Sequence, residues 1–544
     1  MPINRLNVFE CRSLGSDLNA GMFDPGSTFN NTLSSANGTS SLPTVSASNY
    51  SFISQDINHY LFIQSGANWT PGWYQITGLA GTSAVVNASV NQYIKANYFR
   101  GKVNGIGTSN GLNSGFWTID YSQSAIAVTS SLDLFINTST TCSSSSSPFR
   151  NSMIGNSLRI NAGTNFNTGL FLITGIAGTI ATLHRTIGTV SSTGGSVVIG
   201  GAAYSVTRVL SDGVSVIGNV DFRCFIKKDG TYYYSGGEYL FGGGYPNFFG
   251  YENYRDDRGK PLFEAIGYAT RPFRRWDGVW LKLSNLEFNG NNWPSTTLAQ
   301  FNNNQANSHF QNITFRNMRD GLGGAGMFSK FCEFIDCQGY AGTISYGFVQ
   351  GMNNTNNGSI TTYIDNSIIW NNTTTHMSWP NPSNGFYVFR NNIVYNLRGA
   401  GNVLGSYENF NSLGNNFLIY AANNIFSNIN GSVHYNVSGY SALTFLLDSN
   451  SYFSVGATGH TQFNSVGSSR YLVINCNLLN NSPFTNPENG NFRLNDHYLG
   501  GRLVRYKSAV SLVPETIIKQ NRDIGPFQTR NSPISINMNG GMRG

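Results

Sequence analysis

From about Leu283 to Phe453 the chain repeats one short phrase: a polar residue, alternating apolar positions, then more asparagine. The copies run Asn285-Leu286-Glu287-Phe288-Asn289, Asn312-Ile313-Thr314-Phe315-Arg316-Asn317 and Phe331-Cys332-Glu333-Phe334-Ile335-Asp336. They continue as Ser367-Ile368-Ile369-Trp370-Asn371, Asn392-Ile393-Val394-Tyr395-Asn396, Asn424-Ile425-Phe426-Ser427-Asn428 and Ser451-Tyr452-Phe453-Ser454. With Leu286, Ile313, Cys332, Ile368, Ile393, Ile425 and Tyr452 taken as equivalent, the steps are 27, 19, 36, 25, 32 and 27 residues. Self-similarity at such a period signals a repeat architecture, and a period of two within each copy makes the unit a strand with turns.

Strands recurring at this spacing with no helices between them pair in parallel with their counterparts one repeat on, about 4.8 Å away. The fold expected is all-β: a right-handed parallel β-helix, or solenoid, over residues 281–500. Leu286, Ile313, Cys332, Ile368, Ile393 and Ile425 are expected to stack as one inward column, and Phe288, Phe315, Phe334, Trp370 and Tyr395 as a second. Asparagine at the strand ends suits bends, because it tolerates left-handed backbone and bonds to nearby main chain. The outward residues are then Glu287, Thr314, Glu333, Ile369, Val394, Phe426 and Phe453, a series that turns apolar from Ile369 onward. Such a face on a soluble protein is expected to be covered, by loops of the same chain or by neighbouring subunits.

Ahead of the repeats lies a duplication. Phe52, Ile57, Ile63, Gly66, Gly72, Ile76, Gly78, Gly81 and Ala84 recur 97 residues later as Phe149, Ile154, Ile160, Gly163, Gly169, Ile173, Gly175, Gly178 and Ala181. Alternating apolar residues between glycines predict two small antiparallel β modules, at 46–142 and 143–205. The remaining divisions are an N-terminal arm or attachment segment at 1–45, a transition at 206–280, and a C-terminal closure and tail at 501–544. The serine run Ser143 to Ser147 reads as a flexible connection between the modules.

Composition adjusts this picture little. Of 544 residues, 40% are hydrophobic and 13% aromatic, too many for a disordered chain, while only 11% are charged. A net charge of +7, from 33 basic and 26 acidic residues, is thinly spread and points away from nucleic acid. No run of eighteen apolar residues predicts membrane insertion. The start Met1-Pro2-Ile3-Asn4-Arg5 has no apolar leader, so synthesis in a reducing cytoplasm is expected. The six cysteines and seven histidines have no metal-ligand or disulfide-framework spacing, so neither a metal nor another cofactor is expected.

The run Gly250 to Pro261, the segment Ser482-Pro483-Phe484 to Asn491-Phe492-Arg493-Leu494, and Asp523-Ile524-Gly525 resemble right-handed parallel β-helix repeat proteins of bacteriophage virions and bacterial surfaces. The Gly-x5-Gly-x-Tyr/Phe-x-Ile modules resemble those of phage structural proteins. The resemblance implies a structural virion protein: a tail spike, fibre or capsid-surface component, without a catalytic role. It implies a homotrimer, joined to other virion proteins through its N-terminal region and meeting a host surface glycan. Polysaccharide lyases, glycosidases and depolymerase spikes share this fold, which implies a second reading as a depolymerase; a bacterial surface adhesin is a third. For the depolymerase, Glu287 and Glu333 are the acid/base candidates, two repeats and roughly 9–10 Å apart. Arg274, Arg275 and Trp276 are candidates for stacking on sugars or pairing with phosphates.

Overall fold

A computed structural model describes residues 8–87 (except 27–29, 39, 41 and 70), residues 112–213, and, from 222 to 504, the strands and tight turns given below. The chain forms two compact units, Met1–Tyr232 with Gly244–Leu262, and Tyr233–Gly243 with Phe263–Gly544.

The first unit holds the duplication as two closed six-stranded barrels, antiparallel in their pairings. One uses Asn30–Ser35, Thr44–Ala47, Tyr60–Ser65, Gly72–Ala80, Ser83–Asn87 and Leu112–Asp120; the other uses Thr129–Thr138, Thr141–Ser143, Ser157–Ala162, Gly169–Ala177, Ile180–Leu183 and Gly195–Ile199. Each barrel therefore starts one hairpin before the boundaries at 46 and 143. The match of backbone is close: Gly66 and Gly163 both sit at φ +147°, and Asn68 and Asn165 at 65° and 66°. In both barrels an aromatic side chain three residues on, Trp69 or Phe166, lies against that glycine. Closure gives both barrels a single core, centred on Trp73, Trp117, Ile136, Phe171 and Ile173.

Two buried carboxylates of this unit are held by side chains distant in sequence. Asp56 accepts from the hydroxyls of Tyr121 (2.7 Å) and Tyr50 (2.8 Å), and Asp120 from Trp73 Nε1 (2.9 Å). Burial, reinforced by the Asp56 charge, pushes the Tyr50 phenol up to about 12, and burial lowers His59 to about 4.

Two expectations fail here. The segment assigned as an arm is built into the fold: Val8–Cys11 is a fully buried strand paired in parallel with Phe222–Ile226, and Phe23 joins the barrel core. Its four apolar-to-mixed residues were too few to show a period. The serine run is no slack connection either, because Ser144, Ser145 and Ser146 close around the Asp133 carboxylate at 2.5–3.0 Å.

The second unit is a stack of parallel strands, three per repeat. One column of strands is Leu322–Gly324, Val349–Gly351, His376–Pro380, Asn402–Ser406, His434–Asn436 and Asn464–Ser465. A second is Met327–Lys330, Ile360–Asp365, Gly385–Arg390, Phe417–Ala422, Leu443–Asp448 and Arg470–Ile474; a third is Glu333–Ile335, Ile368–Trp370, Ile393–Leu397, Ile425–Ile429, Ser451–Val455 and Asn477–Leu478. The longer strands Leu281–Asn289 and Ser308–Arg316 precede them and feed both the second and third columns. Left-handed residues flank the third column in nearly every described repeat: Asn312 and Asn317, Asn366 and Asn371, Asn391 and Asn396, Asn423 and Asn428, Ser449 and Ser454. Asparagine supplies these bends because its side chain makes the αL conformation affordable.

The register corrects the expected columns. Leu286 pairs with Ile313, but Glu333 pairs with Ile368, so the equivalent of Cys332 is Ser367; likewise Ile425 pairs with Ser451, not Tyr452. Side chains alternate along a strand, so a slip of one residue exchanges the two faces. The inner column is Phe288, Phe315, Phe334, Ile369, Val394, Phe426 and Tyr452, and its described side chains are essentially fully buried. Phe389 of the neighbouring column stacks on Phe426 at 6.1 Å, and Phe426 on Tyr452 at 5.4 Å, so both faces share one interior. Ile369, Val394 and Phe426 thus point inward, and the apolar outward residues are Ile368, Ile393 and Ile425.

The inner position next to the bend changes chemistry along the stack. It is Leu286 and Ile313 early on, then Ser367, Asn392, Asn424 and Asn450, all with no exposed surface. These asparagines bond from repeat to repeat. Asn392 Oδ1 accepts the Ser367 N–H (2.9 Å), Asn424 Oδ1 the Asn392 N–H (2.9 Å), and Asn450 Oδ1 the Asn424 N–H (3.0 Å). Their amide nitrogens donate to Ile364, Phe389 and Ala421 carbonyls at 2.7–2.9 Å. A buried amide is costly unless fully bonded, and here both ends are used.

Candidate functional site

The outer face of the third column divides into a covered part and a polar part. Over the later repeats, Ile368, Ile393, Ile425 and Tyr395 pack with Leu479, Phe484, Phe492 and Val504. The cover is the hairpin Phe484–Asn486/Asn491–Leu494 and the helical turn Gly500–Val504. Trp370 meets Phe492 edge-on at 5.6 Å, and the Tyr395 hydroxyl donates to Glu488 Oε1 at 2.8 Å. Burial, with the Glu488 carboxylate beside it, pushes Tyr395 up to about 12. Coverage by the chain's own loops was one of the two expected outcomes, although the residues covered are one position along from those expected.

The polar part lies on Leu281–Asn289 and Ser308–Arg316. Glu287 faces outward, and its Oε1 receives Arg316 Nε at 2.8 Å, with both side chains partly exposed. Around them Asn289 Nδ2 donates to Glu264 Oε1 (3.4 Å), Asn317 Nδ2 to Asn289 Oδ1 (3.0 Å), and Asn312 Nδ2 to Asn285 Oδ1 (2.7 Å). Gln311 is exposed beside them. The result is a strip of carboxylate, guanidinium and amide groups, repeated at the interstrand spacing of about 4.8 Å. Donors and acceptors at fixed spacing suit a polyhydroxylated chain lying across the strands.

The anticipated site residues fall as follows. Glu287 and Glu333 share one column, each in register with Thr314 between them. Thr314 is buried, and the Glu333 side chain lies outside the described residues. Arg274 and Arg275 belong to the strand Phe273–Arg275, paired in parallel with Leu240–Phe241 and Ala299–Phe301. Their side chains, and all of Trp276, lie outside the described residues. That strand belongs to a different sheet from Leu281–Asn289 and Glu333–Ile335, which carry the glutamates. Arg316, Glu264 and Asn289 were missed, although the step of 27 residues places Arg316 beside Asn289, two positions along the same face from Glu287. Among the described residues no group of three or more His, Cys, Asp or Glu side chains gathers to hold a metal ion.

No protein-family profile matches the chain, and no curated protein matches it. Among solved structures it is similar to the pectate lyase Pel9A, at 11% identity and a TM-score of 0.28 over 60% of this chain and 92% of that one. It is also similar to the Gp54 tailspike of Acinetobacter baumannii bacteriophage AP22, solved with an A. baumannii capsular saccharide, at 9% identity and a TM-score of 0.19 over 65% of this chain and 66% of that one.

Proposed function

We propose that the chain is a structural surface protein of a phage particle, a spike or fibre component whose stacked strands wind as a right-handed parallel β-helix. In this reading the β-helix projects toward the host, its outward polar strip binds host surface glycan without cleaving it, and the barrel-containing unit joins other virion proteins. Association as a homotrimer belongs to the same reading. The observation that supports binding over cleavage is the Glu287–Arg316 pair: the carboxylate is already engaged by a guanidinium at 2.8 Å. That contact occupies the carboxylate oxygen which a reacting sugar oxygen would otherwise have to meet within hydrogen-bond reach.

A depolymerase is the second reading. Glu287 and Glu333 lie two strands apart in one column, about 9–10 Å by strand spacing, near the upper limit for an inverting acid/base pair. Incubating the protein with host capsule or lipopolysaccharide separates the two. Binding that weakens about tenfold in Arg316→Ala, with no new reducing ends or unsaturated sugars, is the expected result. Oligosaccharide release that disappears in Glu333→Gln establishes the depolymerase instead.

A further inference from the structure

The two barrels share one core, and Tyr121, just after the strand Leu112–Asp120, ties them together. Its hydroxyl donates to Asp56 Oδ1 (2.7 Å), in the turn Ser54–Asp56 of the first barrel, and meets Ser152 Oγ (2.9 Å), in the turn Asn151–Met153 of the second. Its N–H donates to Asn156 Oδ1 (2.8 Å), and its carbonyl accepts from the Gly201 N–H (2.9 Å). Tyr121, Asp56, Ser152 and Asn156 have no exposed surface. The duplication puts different residues at equivalent places beside this tie. His59 and Asn156 are 97 residues apart, and their main chains bond alike: each N–H reaches a carbonyl three residues back, Asp56 or Met153, and each carbonyl accepts from Ile76 or Ile173. Asn156 uses both ends of its amide, on the Tyr121 N–H and on the Ile119 carbonyl (2.5 Å).

His59 is placed differently. Its ring stands edge-on to Tyr121 at 4.9 Å, is 5% exposed, and has Nδ1 buried with no hydrogen-bond partner among the described residues. A neutral ring tolerates that place, but an imidazolium carries an N–H on both nitrogens, and the one at Nδ1 would be buried without an acceptor. The carboxylate near the ring, Asp120, already accepts from Trp73 Nε1, the Ser122 N–H and hydroxyl, and Gln123 Nε2. The other charges facing it are Arg150, ahead of the turn Asn151–Met153, and Arg12, after the strand Val8–Cys11, and both oppose a further cation. Burial, against Asp120 and with Arg150 and Arg12, lowers the imidazole to about 4. We propose that His59 is an acid-sensitive lever at the joint between the barrels: on taking up a proton its ring leaves the seam, Tyr121 loses that packing, and the joint opens on the first-barrel side. The second barrel, with Asn156 at the equivalent place, carries no such lever beside the tie.

A histidine lowered in the folded state takes up a proton on opening, so the closed joint is favoured above the unfolded value of about 6.5 and weakens as pH falls from there toward 4. Between pH 7 and pH 5 the opening constant should rise about twentyfold. The test is amide hydrogen exchange on the full chain, corrected for the intrinsic effect of pH on exchange. Burial also lowers His184 of the second barrel to about 4, so each amide is compared between the parent and the variants His59→Asn, which copies the second barrel, and His59→Gln. Amides of residues 56–59 and of Ile76 should lose about twentyfold in protection from pH 7 to pH 5 in the parent and stay level in both variants. Their counterparts, residues 153–156 and Ile173, should respond to pH alike in all three proteins. Level protection at 56–59 in the parent overturns the proposal, and so does a loss there that persists in either variant.

Discussion

The barrels and the stack both arise from repeated sequence, but they repeat different things. Each barrel repeats a closed object: its first and last strands pair, so no edge is passed on, and a defect stays within the shared core of Trp73, Trp117 and Phe171. The stack repeats an open object, in which every strand completes its neighbour on one side and depends on the next on the other. Copies that close are free to drift in sequence as long as bends and packing survive, which is why Trp69 and Phe166 perform one task. Copies that stack must keep register, because each side chain and each amide meets its equivalent one repeat away.

The largest effect expected from this difference is at Asn424. Its amide donates to the Phe389 carbonyl and to Asn450 Oδ1, and its Oδ1 accepts the Asn392 N–H. Asn424→Ala strands buried groups in the repeats on both sides, for a loss of about 3–5 kcal/mol. Chemical denaturation should show that loss, and hydrogen exchange should show it spreading to Phe389–Asn392 and to Asn450. Confinement of the change to the Asn424 repeat would remove the distinction between stack and barrel.

The same dependence explains what could be read from the chain beforehand. Period and strand pairing were readable, since Ile368, Ile393 and Ile425 do lie one above another. Parity was not. Alternation assigns faces only when one face is wet, and here the C-terminal hairpin buries Ile368 and Ile393 while the interior buries Ile369 and Val394. The inner asparagines hid the correct register further, because a polar residue next to a bend reads as part of the turn. The outer strip was readable only in part: Glu287 stood out as an acidic residue, whereas Arg316 becomes its partner only once the 27-residue step is laid out as a register.

A middle-sized effect tests the equivalence of the barrels. A Cβ on Gly66 would meet Trp69 Cδ1 at 2.4 Å, and one on Gly163 would meet Phe166 Cδ2 at 2.6 Å, each on backbone at φ +147°. Strain and overlap together should cost about 3 kcal/mol for Gly66→Ala and for Gly163→Ala alike. Thermal unfolding that differs between the two variants by more than about 1 kcal/mol would mean that the copies have acquired separate roles, and that closure alone does not set their tolerance.

The smallest effect concerns a difference between the barrels themselves, since the serine loop around Asp133 belongs to the second copy only. The Ser144 hydroxyl, then the Ser145 hydroxyl and the Ser146 N–H, hold the Asp133 carboxyl well below the usual carboxylate range. A depressed folded-state pKa gives stability that is present above the unfolded value, about 3.9, and is lost as pH falls from there through the folded value. Asp133→Asn should therefore lower Tm by a degree or two at pH 7, because the site is close to solvent, and the gap from the parent should shrink below about pH 4. A gap that stays constant from pH 7 to pH 3 would show that the loop is held by its backbone geometry and that the charge contributes nothing to closing this barrel.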